Sequence, residues 1–162
     1  MSTQHHHADW NPSEVAGAEI LVVQAGFNPE IVGALRDGAL AVLTRAGAKV
    51  EVVTVPGALE IPAAIAYAIE AESKRGRPWD GYVTLGCVIR GATGHYDIVA
   101  NESNRALMDL VLARGLALGN GILTVEDDEQ AWERADAARL DKGGSAAAAV
   151  LSMIALRRRF GL

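Results

Sequence analysis

Residues Tyr82–Asp97 read YVTLGCVIRGATGHYD. Their first half, Tyr82–Ile89, is an almost unbroken apolar and β-rich run, the pattern of a strand covered on both faces. Gly91-Ala92-Thr93-Gly94 then supplies small residues and no bulk. From His95 onward the pattern is helical, extending to about Ala117. Strand, small-residue loop and helix in this order are the unit of a parallel sheet, and ligands of such sheets bind beyond the C-terminal ends of the strands.

Three more strands are predicted around this one: Glu19–Ala25 (EILVVQA), Lys49–Val55 (KVEVVTV) and Gly121–Val125 (GILTV). Helical patterns separate them. Pro29–Ala46 carries Ile31, Leu35, Ala39, Val42 and Leu43 as one apolar stripe. Asn28 and Pro29 read as its N-cap and first residue, and Gly47 as its stop. Ile61–Lys74 is the second helix, Asp128–Arg139 the fourth and Gly143–Phe160 the fifth. The order β-α-β-α-β-α-β-α-α predicts a three-layer α/β/α sandwich on a four-stranded parallel sheet, flavodoxin-like, with right-handed crossovers. Residues 15–162 are expected to form one domain, preceded by a disordered tail over 1–14 that holds His5-His6-His7.

Half of the 162 residues are hydrophobic, enough for one core, and the net charge of −5 disfavours a general nucleic-acid or anionic-membrane binder. The single cysteine, Cys87, rules out an intrachain disulfide and a cysteine-built zinc site. No signal peptide and no membrane span is read from the chain, so a cytoplasmic protein without membrane contact is expected.

Four loops after the strands converge on one rim. Phe27 there is either a face for stacking on a flat heterocycle or a staple for the next helix. Pro56-Gly57 reads as a tight turn. Glu60 behind it is either a ligand for a polar substrate or an ordinary helix N-terminal acid. Gly91–Gly94 reads as an anion cradle at a helix N-terminus or as a connector; it matches neither GxxxxGK[ST] nor GxGxxG. His95, next to that loop, is a candidate proton carrier. Cys87 reads as a buried, inert thiol, and Arg134 and Lys142 alone read as surface charges.

Taken together, the blocks FN (Phe27-Asn28), VPGALEIP (Val55–Pro62), GCVIRGATGHYD (Gly86–Asp97), GILTVEDDEQAWERA (Gly121–Ala135) and DKGG (Asp141–Gly144) resemble lumazine synthase over most of Ile20–Leu156. That family condenses 5-amino-6-(D-ribitylamino)uracil with 3,4-dihydroxy-2-butanone 4-phosphate to 6,7-dimethyl-8-ribityllumazine, phosphate and water, as a transferase of riboflavin biosynthesis, with no metal and no cofactor. The resemblance implies that Phe27 stacks on the pyrimidine ring. It implies that Ala58, Leu59 and Glu60 line the ring and ribityl pocket opposite Cys87, Val88 and Ile89. It assigns the phosphate to Ala92, Thr93 and Arg134, proton transfer to His95, and a polar contact near the ribityl chain to Lys142. It also implies homopentamers with active sites shared by adjacent subunits. Members that assemble pentamers into shells carry a Gly-rich turn between the last two helices. Here the turn reads ADAARLD (Ala135–Asp141), which favours a free pentamer. Gly26, Leu59, Gly94 and Asn120 depart from the family pattern; Asn120 stands where a phenylalanine from a neighbouring subunit closes the substrate pocket.

Two competing readings are a non-catalytic lumazine or flavin carrier, which has no need of both His95 and Arg134, and an FMN-binding flavodoxin-like protein, which leaves VPGALEIP and the Arg134 block unexplained.

Overall fold

The computed structural model describes residues 10–162. The strands β1 (Glu19–Ala25), β2 (Lys49–Val55), β3 (Gly81–Ile89) and β4 (Leu118–Val125) form one parallel sheet in the order β2-β1-β3-β4. Helices α1 (Pro12–Val15), α2 (Pro29–Arg45), α6 (Asp128–Ala135) and α7 (Lys142–Arg159) cover one face. Helices α3 (Ile61–Glu70) and α5 (His95–Arg114) cover the other, and the short α4 (Glu72–Arg75) follows α3. This is the expected three-layer sandwich.

The two cores follow from strand alternation. Ile20 and Val22 of β1, with Val83, Leu85 and Cys87 of β3, face α2 and α7. Leu21, Val23 and Ala25 face Ile61, Ile65 and Ile69 of α3 and Leu107 of α5. The central strands β1 and β3 are thus buried on both sides, as their apolar runs predict.

Several boundaries differ from the expectation. β4 begins at Leu118 rather than Gly121, because α7 lies against it: a Cβ on Gly119 would come within 1.9 Å of the Ala146 carbonyl oxygen. The same close approach brings α7 onto α2, where a Cβ on Gly143 would meet the Leu35 carbonyl oxygen at 1.9 Å. α6 stops at Ala135, not Arg139, because Asp136 turns extended and its carboxylate accepts the Ala138 N–H at 2.8 Å. α5 ends at Arg114, where Gly115 adopts a left-handed conformation. The second predicted helix is split at Ala71; beyond the break Arg75 stacks on Trp79, 3.7 Å from the ring centre, and pairs with Glu19.

Of the stretch expected as a tail, Pro12–Glu14 belong to the helix Pro12–Val15, and Glu14 pairs with Arg159 at 2.8 Å. The tract His5-His6-His7 lies outside the described residues. Among the described residues no helix is long and apolar enough to cross a membrane.

Candidate active site

Asn28 occupies the N-cap position of α2 but does not cap it through its side chain. Its backbone is left-handed (φ 55°), and its amide instead donates to the Cys87 carbonyl at 3.0 Å. That bond ties the loop after β1 to the end of β3 and leaves Phe27 projecting, 70% exposed. After β2, Pro56-Gly57 leads into a 3-10 turn, Ala58–Glu60, that runs directly into α3. After β3, the loop 91–94 delivers His95 as the first residue of α5. The Thr93 hydroxyl accepts the His95 N–H at 3.4 Å.

These three loops enclose a cavity of about 550 Å³ at the C-terminal ends of the strands. Its walls include Phe27, Ala58, Leu59 and Glu60 on one side and Cys87, Val88 and Ile89 on another, with Thr93 and His95 at the helix N-terminus. Ala92 is exposed in the loop between the lining residues Gly91 and Thr93. The arrangement offers an aromatic face, a carboxylate, an imidazole and the positive end of a twenty-residue helix dipole. Cys87 is 4% exposed, and burial, aided by the charge of Asp128, pushes its thiol up to about 11. It is a wall, not a nucleophile.

Asn120, Arg134 and Lys142 are not in this cavity. They line a second cleft of about 440 Å³ beside the free edge of β4, together with Thr124, Ser145 and Ala149. Arg134 is held there by the Gln130 carbonyl at 3.1 Å and the Glu133 carboxylate at 3.2 Å. Lys142 is the first residue of α7, whose N-cap, Asp141, accepts the Gly144 N–H at 3.0 Å. One chain therefore carries two separate half-sets of the expected residues.

Sequence reasoning missed Arg90 and Tyr96. Arg90 pairs with Glu126 at 2.9 Å and Asp97 at 3.5 Å, and its guanidinium lies 4.0 Å from the centre of the Tyr96 ring, which lines the cavity. It ties the end of β3 to the residue after β4 and to the first turn of α5. The only signal was its place before the small residues; its partners come from β4's end and from α5.

A three-layer α/β/α domain with an aromatic, a carboxylate and a histidine gathered beyond the strand ends belongs to the class of small-molecule enzymes that work at the C-terminal rim of a parallel sheet. The sequence model of 6,7-dimethyl-8-ribityllumazine synthase matches residues 17–158. Proteins of that name from Nitrobacter winogradskyi and Rhodopseudomonas palustris (strain BisA53) are 54% and 56% identical to this chain; the first match covers 98% of both chains, the second 91% of this chain and 90% of its relative. 6,7-dimethyl-8-ribityllumazine synthase 1 of Rhizobium meliloti is 56% identical over 92% of this chain and 97% of its own. The chain belongs to the 6,7-dimethyl-8-ribityllumazine synthase family.

Proposed function

We propose that this chain condenses 5-amino-6-(D-ribitylamino)uracil with 3,4-dihydroxy-2-butanone 4-phosphate, giving 6,7-dimethyl-8-ribityllumazine, phosphate and water. The observation that carries the reading is the cavity that gathers Phe27, Glu60, Thr93 and His95. In this reading the pyrimidine stacks on Phe27 and is flanked by Ala58, Leu59 and Glu60 and by Cys87, Val88 and Ile89. The phosphate sits at the N-terminus of α5 against Ala92 and Thr93, where the helix dipole favours an anion.

The chemistry then follows from these groups. The uracil amine attacks the ketone and water leaves as an imine forms. A proton is lost from the neighbouring carbon, and phosphate departs with its electron pair to the anion cradle. The enol tautomerises, and the ribityl-bearing nitrogen closes the ring with loss of the second water. His95 carries protons between these steps. Holding two substrates in register contributes up to ~7–11 kcal/mol.

The active unit in this reading is a cytoplasmic homopentamer. The cleft of Asn120, Arg134 and Lys142 on one subunit completes the cavity of its neighbour, with Arg134 on the phosphate. The division of the residues between two clefts supports this, as do exposed apolar side chains on α5, Ile98, Met108 and Leu112.

The test is turnover of the two substrates, followed by lumazine absorbance and fluorescence against the uncatalysed rate. Wild-type protein is expected to exceed that rate, and His95→Ala and Arg134→Ala to fall well below wild type toward it, Arg134→Ala chiefly through a raised KM for the phosphorylated substrate. Tight binding of lumazine without turnover would overturn the reading in favour of a carrier.

A further inference from the structure

Asn120 carries an amide whose orientation is dictated by its surroundings. Its Oδ1 accepts the main-chain N–H of Ile122 at 3.0 Å, and a main-chain N–H can only donate. The same oxygen accepts the hydroxyl of Thr84, also at 3.0 Å, and Thr84 is fully buried within β3. On the other side, Asn120 Nδ2 donates to Asn104 Oδ1 on α5. Asn104 in turn donates through its Nδ2 to the Ala100 carbonyl at 2.7 Å, and a carbonyl can only accept.

The relay is therefore anchored at both ends by backbone groups of fixed polarity. Neither amide can flip without setting two donors or two acceptors against each other. The oxygen of Asn120 is saturated and points inward. Its NH2 group has one hydrogen engaged with Asn104 and one remaining. Asn120 itself is exposed and borders the cleft of Arg134 and Lys142.

We infer that Thr84 and Asn104 are positioning residues that hold the Asn120 amide with its remaining N–H turned toward the substrate cleft, where it donates to an oxygen of the ribitylaminouracil. The inference rests on the proposed function and its shared site. A neutral donor beside two cations suits the neutral hydroxyl and carbonyl oxygens of that substrate, and leaves the phosphate to Arg134. A position that elsewhere closes the pocket by apolar contact here closes it by a directed hydrogen bond.

The experiment compares KM for each substrate in wild type, Thr84→Val, Thr84→Ser, Asn120→Asp and Asn104→Ala, with thermal melting of each. Thr84→Val keeps the shape and removes the donor. It is expected to raise KM for ribitylaminouracil roughly three- to tenfold, the worth of one neutral hydrogen bond, with KM for the phosphorylated substrate unchanged. Thr84→Ser restores the wild-type value. Asn120→Asp sets an oxygen against both Asn104 Oδ1 and the substrate oxygen, so it raises the same KM at least as much. Asn104→Ala repeats the effect from outside the sheet, so the test survives a poorly folded Thr84→Val.

Unchanged KM for ribitylaminouracil in Asn120→Asp and Asn104→Ala overturns the inference, as does an equal rise for both substrates. Absence of turnover in wild type is a different result: it overturns the proposed function, and the inference falls with it.

Discussion

The side-chain amide of Asn28 and the main-chain carbonyl of Cys87 are joined by a 3.0 Å hydrogen bond that spans from the loop after β1 to the end of β3. Asn28 holds a left-handed backbone to make it. The left-handed conformation costs a residue such as alanine ~1–2 kcal/mol, and the bond is worth about 1 kcal/mol. Asn28→Ala is therefore expected to lower stability by about 2–3 kcal/mol and Asn28→Gly by about 1 kcal/mol, in urea unfolding at fixed protein concentration. Both should raise KM for the uracil substrate by loosening Phe27, and an Asn28→Gly protein as unstable as Asn28→Ala would contradict the backbone part of the argument.

The separation of His95 from Arg134 into two clefts of one chain, with the site proposed to be shared between neighbours, predicts complementation. His95→Ala and Arg134→Ala proteins, each poorly active, should regain turnover when unfolded together and reassembled. Each mixed interface that pairs one intact cavity with one intact Arg134 cleft restores a complete site. Separately refolded and then mixed controls should show less. If turnover never rises above the sum of the two variants, the site lies within a single chain.

Glu14 links the short helix α1 to the far end of α7. The hydrogen bond from Arg159, and after it the Asn11 N–H, hold its carboxyl at about 2, against an ordinary value of 4.5. A depressed carboxylate contributes stability above its unfolded pKa and loses that contribution as pH falls toward the folded value. The melting temperature of wild type should therefore fall more steeply between pH 4.5 and about 2 than that of Glu14→Gln. Glu19 and Glu102 are also held low, Glu19 by Arg75, Arg77 and Lys49 overcoming its burial and Glu102 by Arg105, so the difference between the curves isolates Glu14. Parallel curves through that range would show that the Arg159 contact carries no weight in solution.

Cys87 lines the cavity yet is closed to solvent, and burial raises its thiol to about 11. At pH 8 almost none of it is thiolate. Labelling by a maleimide, followed by mass spectrometry, should be very slow in the native protein and rapid in urea. Fast labelling of the native state would mean that the end of β3 opens. In that event the wall formed by Cys87, Val88 and Ile89 would not be the rigid surface the proposed stacking needs.

Local chemistry along the chain was sufficient for much of this architecture. β1 and β3 are legible because strands buried on both faces are apolar at every position, and α2 because one stripe must meet the sheet. The loops that carry Phe27, Glu60 and His95 are legible because turns and helix starts demand particular small, Pro and Gly residues. These are short-range constraints, and the sequence states them directly.

The rest depends on contacts between residues far apart in the chain. Leu118-Gly119-Asn120 falls between the predicted helix and the predicted strand, and becomes strand where α7 presses the Ala146 backbone onto Gly119. Arg90 acquires its role from Glu126 and Tyr96, and Asn120 from Thr84 and Asn104. The sequence by itself determined the order of the elements and which residues are chemically able to act. Only the tertiary structure decided that Phe27 and His95 share one cavity while Arg134 and Lys142 share another. Hydrophobic periodicity reports which face of an element is buried; the partner that buries it is set by packing, which no local pattern encodes.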